Sequence, residues 1–142
     1  MKKIIILFTL VFTLMCSTVA FANNVLGSNW VYIGQEPFAD GVPSTHFYYD
    51  VNSVYWLNDN NLKVLVCLYF PPSPYNPYGI YGFYDDVING KENSFCIFRI
   101  GWFERQNGVL SVKFSYVPDL IWKNFSPNSL YKSIYNSCLY LK

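Results

Sequence analysis

Residues 95–117 read Phe-Cys-Ile-Phe-Arg-Ile-Gly-Trp-Phe-Glu-Arg-Gln-Asn-Gly-Val-Leu-Ser-Val-Lys-Phe-Ser-Tyr-Val. Two apolar-rich runs, Phe95 to Glu104 and Val109 to Val117, flank Gln106-Asn107-Gly108, the pattern of a β-hairpin. Two registers are open to it. A two-residue loop at Asn107-Gly108 pairs Gln106 with Val109. A three-residue loop with Gly108 left-handed pairs Arg105 with Val109. The second places Cys96, Phe98, Ile100 and Trp102 on one face with Leu110, Val112, Phe114 and Tyr116. It gathers Arg99, Gly101, Ser111, Lys113 and Ser115 on the other face. Because it separates apolar from polar better, it is the expected register.

Working outward, Asn89-Gly90 marks a turn. Residues 71–84 carry prolines at 71, 72, 74 and 77, and the first three rule out a continuing central strand. Tyr75, Tyr78, Tyr81 and Tyr84 recur every three residues, as in a polyproline-like or irregular loop. Either they fold back over the sheet edge as part of a long connection, or they form an aromatic recognition surface for a partner. Upstream, Leu62 to Phe70 is a strong strand. It follows a polar turn at Asn58 to Asn61 and an aromatic stretch, Thr45 to Leu57, interrupted at Asp50-Val51-Asn52-Ser53. Leu57 facing Leu62 sets Tyr55 opposite Val64 and Val51 opposite Leu68, on one face with Val66. Cys67 then points the other way with Lys63 and Trp56. Asn29 to Ile33 reads as a first strand and Glu36 to Ser44 as a loop.

The C-terminus reads as a helix, with Ser126 as cap, Pro127 in the first turn and an end near Leu139. Leu130, Ile134 and Cys138 share one face of it. The expected fold class is therefore α+β: a mostly antiparallel sheet with a C-terminal helix packed on one face.

The first residues set the compartment. Lys2 and Lys3 precede an apolar run from Ile4 to Met15, and Ala20-Phe21-Ala22 offers a signal-peptidase site. The run is shorter than the roughly 20 residues of a membrane span. Cys16 as a lipidated first residue is disfavoured, because Met15 stands where a small residue is expected. The expected organisation is a signal peptide over 1–22 and one exported domain over 23–142, periplasmic, surface-bound or secreted. With Lys2 and Lys3 removed, the formal charge falls from +1 to −1. No basic stripe remains for nucleic acid or an anionic membrane. Thirteen tyrosines suit both sheets and protein-binding surfaces.

Cleavage leaves Cys67, Cys96 and Cys138, and an oxidising compartment leads one to expect one bridge and one spare thiol. If the helix packs on the apolar face of the hairpin, Cys96 and Cys138 can meet, and theirs is the expected disulfide. In the chain-entropy view, closing that loop stabilises by roughly 3–4 kcal/mol.

These residues resemble the surface-adhesin protein E-like family of small exported bacterial proteins over nearly the whole of 23–142. The resemblance rests on the order and spacing of several elements. They are Asn29-Trp30, Tyr48-Tyr49-Asp50 with Ser53, the Val-rich strand at 62–68, Cys96 with Arg99, and Trp122 followed by Pro127, Ser129 and a helix ending at Cys138. Cys67 and the Pro/Tyr stretch at 71–84 depart from it. It implies an antiparallel sheet under a C-terminal helix tied by Cys96–Cys138, and adhesion to host molecules such as extracellular-matrix proteins.

Chemistry for catalysis is sparse. In the register above Cys67 lies opposite Asn52, roughly 20 Å from His46, the only histidine, which excludes a Cys–His pair. Cys67 is better explained as a small apolar thiol or as a disulfide to a second copy. His46 and Asp50 are too far apart to share a metal, and Asp85-Asp86 with Glu92 read as a solvated loop before a calcium site. Asp50 with Ser53 reads as a turn before a ligand contact. The expectation is a non-catalytic binding protein without cofactor or metal, with Tyr75, Tyr78, Tyr81 and Tyr84 as the partner-binding residues. The alternative is a periplasmic inhibitor or accessory factor of a cell-envelope enzyme. Nothing visible guards both sheet edges, which leaves a homodimer open.

Overall fold

The computed structural model describes residues 26–37, 42–74, 77–106 and 109–142. The expected signal segment 1–22, with Cys16, lies outside the described residues, as do Tyr75 and the Asn107-Gly108 turn. Met1–Trp30 and Val31–Lys142 are separate units; of the first, residues 26–30 are described, and Trp30 opens the first strand.

Among the described residues, eight strands and a C-terminal α-helix follow in chain order: β1 (Trp30–Glu36), β2 (Thr45–Asp50), β3 (Tyr55–Trp56), β4 (Asn61–Phe70), β5 (Ile80–Asn89), β6 (Ser94–Gln106), β7 (Val109–Tyr116), β8 (Trp122–Asn124) and α1 (Leu130–Cys138). The sheet order is β1-β2-β4-β5-β6-β7, so the chain meanders, with every pair from β2 onward antiparallel. Two pairs of strands are each the halves of a broken one. β2 and β3 both lie along β4, at Tyr49↔Val66 and Tyr55↔Lys63, separated by a 3-10 turn at Val51–Ser53. β7 and β8 both lie along β6, at Arg99↔Tyr116 and Cys96↔Trp122.

The first break is stitched by side chains. Asp50 accepts the Asn52 N–H at 2.9 Å and so caps the turn. The Ser53 hydroxyl donates to the Asp50 carbonyl at 2.7 Å and accepts the Leu65 N–H of β4 at 2.8 Å. It supplies a ladder bond where the strand is interrupted. The turn expected at Asp50 and Ser53 is therefore present. The three-residue excursion also corrects the expected register: Cys67 pairs with Tyr48, not Asn52.

Helix α1 covers one face. Ile134, Tyr135 and Cys138 are buried against Tyr49, Leu62, Val64, Val66 and Ile88, the side chains that alternation along β2, β4 and β5 sends to that face. Trp56 packs edge-on against Tyr135 at 5.4 Å, so it too is on the helix side, contrary to expectation. The helix starts at Leu130, beyond Pro127, because Ser126 to Ser129 first close a turn (Ser129 N–H to Ser126 O, 2.9 Å). Ser129 is the N-cap, and its Oγ accepts the Lys132 N–H at 3.3 Å. From β1, Glu36 accepts the Leu130 N–H at 3.0 Å, placing a carboxylate at the positive end of the helix.

The β6–β7 hairpin takes the rejected register, Gln106↔Val109. A β-bulge explains why. Asp86 pairs with Ile97 but Asp85 with Arg99, leaving Phe98 extra and shifting the alternation of β6. Apolar side chains are thus shared between both faces, so one-sided segregation does not set the register. Gly101 comes to lie opposite Phe114, whose ring occupies the space a β-carbon would need, 2.7 Å away.

The bulge also decides the cysteines. Cys96 pairs with Val87, on the face turned away from the helix, whereas Cys138 is in the helix-side core. The expected Cys96–Cys138 bridge is not formed: Cys67, Cys96 and Cys138 are all unpaired and buried.

Candidate functional site

On the sheet face away from α1, register brings aromatic rings into a row. His46 pairs with Tyr69 and Tyr69 with Tyr81, so three neighbouring strands present rings side by side. Tyr81 stacks on Tyr69 at 4.6 Å, His46 meets Tyr69 edge-on at 5.8 Å, and Tyr32 of β1 lies 5.9 Å from His46 and 5.2 Å from Tyr48. Beyond β5 the row continues to Phe103, 5.7 Å from Tyr81 and 5.0 Å from Phe83. Tyr32 is 43% exposed at one margin. Cys67 and Phe83 form the floor, fully buried beneath the rings.

The row is electrically neutral. Burial pushes the Tyr48 phenol up to about 12, with Tyr32, Cys67 and Tyr69 adding to the rise. Burial raises Tyr32, Tyr69 and Tyr81 as well and lowers His46. The hydroxyls thus remain donors, and the buried Tyr81 hydroxyl has no hydrogen-bond partner among the described residues.

Next to the row is a charge cluster. Asp85, buried, is held by Arg99 (Nη2 at 2.7 Å, Nε at 2.8 Å) and by Lys63 at 3.3 Å. The Arg99 guanidinium lies 4.8 Å from the Phe114 ring centre and Lys63 Nζ 5.5 Å from that of Phe98. Tyr116, opposite Arg99 and 73% exposed, closes this margin.

Of the four tyrosines expected to act together, Tyr75 lies outside the described residues, and Tyr81 and Tyr84 are on opposite faces of the sheet. Tyr78 is exposed in the connection between β4 and β5. Tyr81 and Tyr84 belong to β5, which starts at Ile80, and an odd spacing sends them to opposite faces. Tyr81 joins the row, while Tyr84 lies on the helix side. The expected loop therefore ends at residue 79, where Gly79 takes a positive φ of 69°. A period-two signal was present in Tyr81, Phe83, Asp85 and Val87, and the tyrosine spacing of three obscured it.

Asp85 and Asp86 are likewise not in a solvated loop but in the centre of the sheet, on opposite faces. Among the described residues no group of three His, Cys, Asp or Glu side chains is placed to hold a metal ion. His46 and Cys67 are closer than the expected register allowed: they are diagonal neighbours, the former opposite Tyr69 and the latter opposite Tyr48. Burial raises the Cys67 thiol far above its ordinary range, which opposes formation of a nucleophilic thiolate. No helix among the described residues is long and apolar enough to cross a membrane.

No protein-family model, curated protein or solved structure matches the chain.

Proposed function

We propose that this is an exported, non-catalytic binding module that recognises a protein partner through the sheet face opposite α1, in the manner its resemblance to surface-adhesin protein E-like proteins implies. The observation that carries this reading is the neutral aromatic row from Tyr32 to Phe103, flanked by Arg99, Lys63 and Tyr116. Tyrosine and arginine around an apolar centre are the composition that protein interfaces favour. The partner class that fits the resemblance is an extracellular-matrix protein.

Binding of the purified protein to a panel of immobilised matrix glycoproteins tests it. Tyr32→Ala with Tyr116→Ala is expected to weaken capture at least tenfold while thermal unfolding moves by only a few degrees, since both rings are at exposed margins. Trp102→Ser, on the helix-side face, should leave capture unchanged. Equal capture by the Tyr32/Tyr116 variant and the parent would remove this face from consideration.

A further inference from the structure

The contact between α1 and the sheet contains a carboxyl group without a counter-charge. Asp86, in the middle of β5 between Val64 and Ile97, is 0% exposed, and among the described residues neither carboxylate oxygen has a partner of normal hydrogen-bond geometry. The group acting on it from the helix is the Tyr131 hydroxyl. Tyr131 is itself fixed by rings, stacked 4.2 Å from Phe95 and edge-on to Phe47 at 6.1 Å. From β5, Asp85 and Tyr84 act on this pair, from β6 Cys96, and from β1 Glu36 faces Tyr131. The nearby cations are committed elsewhere. Lys63 and Arg99 hold Asp85 on the far face, and Lys132 of the helix bonds the Gly90 carbonyl. Among the described residues, the titratable groups that bear on Asp86 are a carboxyl, phenols and a thiol, none of them a cation.

We propose that α1 is latched to the sheet by a proton. Asp86 is the neutral acid when the helix is docked, and as pH rises its proton passes to solvent and the helix loosens while the strands stay paired. A buried carboxylate with no cation is costly, whereas a neutral acid has no charge to strip of water. Burial accordingly pushes the Asp86 carboxyl up to about 8, against the pull of the Tyr131 hydroxyl and with Asp85 adding to the rise. The sign follows. A carboxyl whose pKa is raised in the docked state stabilises docking below its ordinary range near 4. That contribution is lost as pH rises towards 8, about tenfold in the opening equilibrium per pH unit, and is level above.

Amide hydrogen exchange, corrected for intrinsic rates, measures this on the purified protein between pH 5.5 and 9. The opening equilibrium for amides in Tyr131–Cys138 should rise more than tenfold between pH 6 and 8, while β4 amides change little. Asp86→Asn should abolish the rise. Tyr131→Phe should retain it, because the hydroxyl favours the charged form. Helix protection independent of pH, an equal rise in Asp86→Asn, or parallel loss in β4 would each overturn the latch. The wild-type comparison of helix with strand decides the matter even if a variant fails to fold.

Discussion

Single side chains repair what the backbone leaves open. The Ser53 hydroxyl bonds both the Asp50 carbonyl and the Leu65 N–H, so Ser53→Ala orphans a strand amide. A loss of about 1–2 kcal/mol in denaturant unfolding is expected. His46 lies between Tyr32 and Tyr69, and burial holds its pKa below the ordinary value near 6.5. Its contribution to stability is present above that value and lost as pH falls below it. His46→Phe keeps a ring in the row and should flatten the acid side of a melting-temperature profile. The cysteines are equally specific in their prediction. Unfolded without reductant, a chain beginning at residue 23 should titrate three thiols, at 67, 96 and 138. A single titrating thiol would demonstrate a bridge and require a different placement of α1 or β6.

At the scale of elements, the helix fits the sheet because a turn makes room for it. Gly90, between β5 and β6, lies under Tyr135, and a β-carbon there would sit 2.1 Å from the ring. Its N–H also bonds the Asn60 carbonyl at 3.1 Å, so the ring cannot be accommodated by moving the turn alone. Gly90→Ala should cost about 1–3 kcal/mol in urea unfolding and selectively weaken the helix contact. The strands were largely legible in the sequence: aromatic- and valine-rich runs between turn signals pointed to β1, β2, β4, β6 and β7, and the spacing of Leu130, Ile134 and Cys138 pointed to the buried face of α1. What was not legible were the departures from regular pairing. The 3-10 turn at Val51–Ser53 and the bulge at Phe98 each move a register without leaving a hydrophobic signature. Both displaced the cysteines from their expected neighbours. The aromatic row was hidden for the same reason, since it exists only once His46, Tyr69 and Tyr81 fall into line across three strands.

The whole molecule is a meander from β2 onward, in which each strand pairs with the next long strand in the chain. A connection cut anywhere therefore separates neighbours without unthreading anything. The connection over 71–79 is the instructive one, for it joins β4 to β5 along an unbroken seam from Asn61↔Asn89 to Phe70↔Ile80. The C-terminal piece would carry α1, yet the helix rests on side chains of the N-terminal piece, with Tyr135 against Trp56 and Tyr131 against Phe47. Each fragment would thus hold the other twice, once by a strand ladder and once by a clasp laid across it. A protease acting at the exposed Tyr78 would yield two chains that travel as one, and the pair could be separated, exchanged and recombined like the halves of a split reporter.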